Sequence, residues 1–99
     1  MQQTELIAQL DALTDAIEHA ATMADWIEAA RLVDIREPLV ASLAADQPPA
    51  GIAAIRRIQA SNERIFADAQ RAQQELTDAY QAAMGRVQAV GQYQSVASR

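Results

Sequence analysis

Apolar residues recur along this chain at intervals of three and four, the period of a helix buried along one side. In the first stretch they are Leu6, Leu10, Leu13, Ile17 and Ala20, with Asp11, Asp15 and Glu18 off that face. The spacing predicts a helix over about residues 4–22, with Thr4 as its N-cap and Glu5 favourable in the first turn. A second helix opens at Asp25, where an acidic cap is followed three residues later by Glu28, in the manner of a capping box. Trp26, Ala29, Val33, Val40 and Leu43 form its stripe, and Ile27, Leu32, Ile35 and Leu39 widen it, to about residue 44. Pro38 lies inside this segment and removes a backbone hydrogen bond, which predicts a kink near Arg36 or Glu37. The run Asp46-Gln47-Pro48-Pro49-Ala50-Gly51 then stops the helix in a loop.

The third segment is the longest, over about residues 52–89. Ile55, Ile58, Asn62, Ile65, Ala69, Ala72, Leu76, Ala79 and Ala83 follow a three-four spacing, and the register then slips by one to Tyr80, Val87 and Val90. At 1.5 Å per residue such a helix would run about 57 Å, roughly twice either of its predecessors. Gly85 and Gly91 weaken its last turns, so residues 90–99 are expected to form a mobile tail or a short separate helix. The fold expected is all-α: one domain over residues 1–99, an antiparallel bundle of three main helices with the third longest. Two arrangements satisfy the lengths, helices one and two end to end along helix three or a short bundle that helix three overhangs. The wide apolar faces of the shorter helices favour the bundle. Asn62 at a seam position fits either a polar contact that fixes helix register or a solvated side chain at the end of a short partner helix. Trp26 reads as an anchor between helices one and two.

Composition agrees with the pattern: half of the 99 residues are apolar, alanine is the commonest, and strand-favouring residues are few. The net charge of −5 argues against a nucleic-acid partner, which needs clustered basic groups. That charge is uneven, −7 up to Asp46 and +2 from Gln47 onward, which suggests halves that pack through complementary surfaces. No apolar run approaches the ~18 residues of a membrane span, and the N-terminal residues lack the pattern of a signal peptide. A cytoplasmic protein without membrane insertion is expected.

Candidate chemistry is sparse. Without cysteine there is no thiol nucleophile or zinc cluster, and Gly51, Gly85 and Gly91 are too isolated for a phosphate loop. His19 is the single histidine, and its neighbour Glu18 points about 100° away on a helix, so the two do not converge on one metal ion. No enzyme activity, cofactor or metal is expected. What remains is apolar surface. Leu76, Tyr80, Val87, Val90 and Tyr93 form a strip beyond the reach of helices one and two, suited to an amphipathic helix from a partner. With Ile35 and Leu39 on the second helix, these are the candidate partner-binding residues.

The sequence resembles the FliT-type flagellar export chaperones. The resemblance rests on Ala24-Asp25-Trp26 opening the second helix, on Asp34-Ile35-Arg36-Glu37-Pro38-Leu39-Val40 before a proline-containing loop, on Ile55, Ile58 and Asn62-Glu63-Arg64-Ile65, and on Tyr93 near the end. It implies a cytoplasmic chaperone that binds the helical C-terminal region of the filament-cap protein and delivers it to the type III export apparatus. It further implies contacts with the export ATPase complex and the export gate, and in some members with a transcriptional regulator. A C-terminal helix in the family can fold back over the binding surface, and Tyr93 matches the tyrosine of that segment. The alternative is a helical structural protein that assembles as a homo-oligomer through the third helix; a homodimer is compatible with the apolar strip and opposed by the net negative charge.

Overall fold

The computed structural model describes residues 2–97 and contains, among them, three α-helices and no strand. They are α1 (Gln3–Thr22), α2 (Trp26–Ala41) and α3 (Pro49–Ala97). The chain divides into two compact units, Met1–Ala69 and Gln70–Arg99. The first holds α1, α2 and the opening turns of α3; the second is the remainder of α3.

Within the first unit, α1 and α2 pair closely. Leu6 and Leu10 meet Leu39 and Leu43, and Thr14 meets Arg36, so the partners run in opposite directions along the two helices. The turn between them is built from backbone alone. Ala24 has φ 56°, Asp25 N–H donates to Ala20 C=O at 2.8 Å, and Ala24 N–H donates to Ala21 C=O at 3.0 Å. This is the Schellman pattern, which satisfies the last carbonyls of α1, here with alanine where glycine is usual. Asp25 then caps α2, its Oδ1 accepting from Glu28 N–H at 3.2 Å. Only half of the expected capping box forms, because Asp25 N–H is taken by Ala20 and the Glu28 carboxylate pairs with Arg31.

The opening turns of α3 complete the core. Ile58 packs with Leu6 and Leu10, while Gly51, Ala54 and Ser61 are also buried. The uneven charge of the sequence appears here as an ion-pair cluster between α1 and α3. Arg57 pairs with Asp15, Asp11 (3.6 Å) and Glu18 (3.8 Å), and Arg64 pairs with Glu18 at 3.2 Å.

Helix ends differ from the sequence expectation for local reasons. α1 starts at Gln3, ahead of Thr4, because the Gln3 Oε1 accepts from Gln47 Nε2 (2.9 Å) and ties the first turn to the α2–α3 loop. α2 ends at Ala41, where the Ser42 hydroxyl folds back to donate to Pro38 C=O at 2.9 Å. α3 begins at Pro49, whose fixed φ and missing N–H suit a first helical position. It then continues as helix through Gly85 and Gly91 to Ala97, where a break near residue 89 had been expected. The expected tail over 90–99 is thus helical as far as 97, and Ser98 and Arg99 lie outside the described residues.

Candidate functional site

The first unit carries a groove between α2 and α3. At one end Trp26, Ala29, Ala30 and Val33 of α2 face Ile65, Phe66 and Ala69 of α3, with Ile17 of α1 at the base, around about 310 Å³ of open, almost wholly apolar space. At the other end Arg36, Glu37, Val40 and Ala41 face Ile58 across about 370 Å³. Val33 and Asn62 border both spaces. The helical period explains the lining. Positions 26, 30, 33, 37, 40 and 41 of α2 fall on one face, while Leu39 falls on the other and packs against Leu6, Leu10 and Ile58. Trp26 is therefore half-buried along the groove, where the sequence suggested an anchor between α1 and α2.

Arg36 sits where the groove meets the core. Only 3% of the residue is exposed. Its Nη1 donates to Thr14 Oγ1 at 3.2 Å, and its Nη2 donates to Asn62 Oδ1 at 2.7 Å. Thr14 is fully buried and passes its own proton to Leu10 C=O at 2.8 Å, which leaves its oxygen free to accept from the arginine. Burial lowers the guanidinium pKa from its usual value, and the nearby Glu37 charge acts in the opposite direction. An arginine stays charged under either influence. Asn62, itself exposed, thus makes a polar contact between helices while also meeting solvent, so parts of both expected readings hold.

The second unit presents a different surface. Leu76, Tyr80, Val87, Val90 and Tyr93 are all exposed, between 56% and 76% of each residue. Leu76, Tyr80, Val87 and Val90 fall along one stripe, separated by four, seven and three residues; Tyr93 lies to one side. Ala83, Val87, Val90 and Gly91 border an open hollow on that face. A Cβ added at Gly85 or Gly91 would meet nothing within 4 Å. The strip expected on α3 is exposed as the sequence implied. Ile35 is also exposed, on the side of α2 away from the groove, and Leu39 belongs to the packed core. The groove residues Trp26, Val33 and Phe66, together with Arg36, had not been singled out as a site.

His19 is exposed on α1 near Met23, Asp25 and Glu28. Among the described residues, no group of three or more His, Cys, Asp or Glu is placed to hold a metal ion. No helix among them is long and apolar enough to cross a membrane.

Compared with known protein families, residues 4–95 match the family described as flagellar protein FliT. No curated protein and no solved structure matches the chain.

Proposed function

The chain belongs to the FliT family of flagellar proteins, whose role is that of a flagellar export chaperone, and on that premise we propose that it binds the helical C-terminal region of the filament-cap protein. In this reading it works in the cytoplasm and delivers the cap protein to the export ATPase complex and the export gate. The observation that carries the reading is the exposed strip on the second unit. Five large apolar side chains stand in water on α3, with no other helix of that unit to cover them. A surface of this kind suits the apolar face of an amphipathic helix, with anchors at helical spacing. Leu76, Tyr80, Val87 and Val90 would supply the stripe, and Tyr93 its flank.

The test is direct binding of the purified cap-protein segment to wild type and to the double variant Leu76→Asp, Tyr80→Asp. Both sites are exposed, so helicity should be retained while affinity falls by about a hundredfold or more, the effect of losing two central anchors. Undiminished affinity would remove the strip from the binding surface. A wild-type chain that instead forms a stable homodimer, broken by the same substitutions, and ignores the cap segment would favour the structural alternative.

A further inference from the structure

The two units of the chain differ in charge. Residues 1–69 hold eleven acidic residues against five arginines, a net −6, and residues 70–99 hold two against three, a net +1. The negative charge that opposes self-association therefore belongs to the first unit, and the exposed face of the second does not share it. That face runs through Gln73, Leu76, Tyr80, Ala83, Val87 and Val90, at alternating steps of three and four, the seam of a two-stranded coiled coil. At the helical period Glu75 and Arg86 lie on one flank of the seam, and the uncharged Thr77, Met84 and Gly91 on the other. Neither Glu75 nor Arg86 meets an opposite charge among the described residues.

Laid against itself in the opposite direction, this face matches in size and in charge. Pairing Leu76 with Val87 brings Tyr80 against Ala83, so each bulky side chain meets a smaller one. The open hollow bordered by Ala83, Val87, Val90 and Gly91 then lies where Leu76 of the second copy arrives. In the same register Glu75 comes within about two residues of Arg86 on the opposing helix, and the two-fold axis repeats the pair. A parallel pair does neither. There Tyr80 meets Tyr80 and Ala83 meets Ala83, a bulky layer beside an underfilled one. The charged flank of each helix would face the uncharged flank of the other, and two acidic first units would leave the pair at the same end.

We propose that a second copy of this chain covers the α3 strip in the free protein, as an antiparallel pair through residues 73–90. The paired stretch is about 26 Å long at the usual helical rise, a small contact, so the dimer is reversible in the micromolar range. The pairing rests on α3 alone; its consequence rests on the chaperone reading above. The cap-protein helix and the second copy use the same side chains, so each excludes the other, and the unloaded chain keeps its strip out of water.

Three arms test the proposal. In sedimentation equilibrium, wild type is expected to show a micromolar monomer–dimer equilibrium. Arg86→Glu and Glu75→Arg, both at exposed positions, are each expected to weaken it at least about fivefold, and the double variant to return within about twofold of wild type. A wild type monomeric up to millimolar concentration, or a double variant no tighter than the singles, overturns the proposal. The second arm uses introduced thiols, since the chain has no cysteine. In the antiparallel register two copies of Leu76→Cys, or two of Val87→Cys, sit about 16 Å out of step, beyond the ~7 Å reach of a disulfide. Mild oxidation is therefore expected to cross-link the mixture of the two variants and neither alone. Cross-linking of either variant alone, or none in the mixture, overturns the proposal. In the third arm the purified cap-protein segment is titrated into the dimer, which is expected to dissociate as a one-to-one complex forms. A segment that binds the intact dimer overturns the mutual exclusion. A segment that fails to bind at all sinks the chaperone reading, and the first two arms still decide the pairing.

Discussion

Thr14→Val is the most informative single change in the core. Valine matches threonine in shape, so no cavity opens, and Thr14 is fully buried, so no water replaces the lost oxygen. The Leu10 carbonyl keeps its helical partner, and that part of the change costs little. The cost falls on Arg36, whose Nη1 loses the acceptor at 3.2 Å while the side chain stays buried. Stranding a donor on a charged group costs about 2 kcal/mol, of the order measured for hydrogen bonds to ions. Arg36→Met removes the stranded charge and keeps the aliphatic stem, and replacing buried ionic groups by apolar ones is often neutral. The double variant is therefore expected within about 1 kcal/mol of wild type, giving a coupling of about 1–2 kcal/mol between the sites. Trp26 is the only tryptophan and lies in the first unit, so urea unfolding followed by its fluorescence reports on the relevant part of the chain. A loss below about 0.5 kcal/mol for Thr14→Val, or an undiminished loss in the Arg36→Met background, would refute the argument.

Three further changes probe the frame around the sites. Ala24→Gly relieves a left-handed backbone that costs an L-residue about 1 kcal/mol, so it should be neutral to stabilising by up to that amount in the same unfolding assay. Gly85→Ala with Gly91→Ala adds methyl groups that meet nothing within 4 Å, and should raise the helicity of the last turns by circular dichroism, each change contributing about 0.5–1 kcal/mol. Arg57→Ala removes the centre of the α1–α3 ion cluster; its partners are largely exposed, so the loss should be about 0.5–1 kcal/mol in dilute buffer and shrink toward zero in molar salt.

Much of this fold can be read from hydrophobic spacing. Leu6, Leu10, Ile17 and Ala20 are the buried face of α1 as their intervals imply, and the expected stop after α2 is kept in Asp46-Gln47-Pro48, with Pro49 already the first residue of α3. The departures have local causes. Thr14 is buried where Leu13 was expected to be, because its hydroxyl has a private partner in Arg36, and a pattern of apolar letters carries no trace of such a pair. Gly85 and Gly91 suggested a break, but two glycines in a helix of 49 residues weaken it without ending it. The groove was illegible for a different reason. Trp26, Val33 and Phe66 carry the same apolar signature as core residues, and only the packing of Leu39 toward α1 shows which face of α2 is left open. The exposed strip from Leu76 to Tyr93 was legible because it outruns the two shorter helices in sequence length alone.

The central claim is that this member of the FliT family is a chaperone for the filament-cap protein. Isothermal titration of the purified chain with the helical C-terminal segment of that protein tests it most directly. The account predicts saturable one-to-one binding with a negative heat-capacity change, the mark of apolar surface leaving water. Absence of binding heat across a range of temperatures, with no complex on gel filtration, would contradict it.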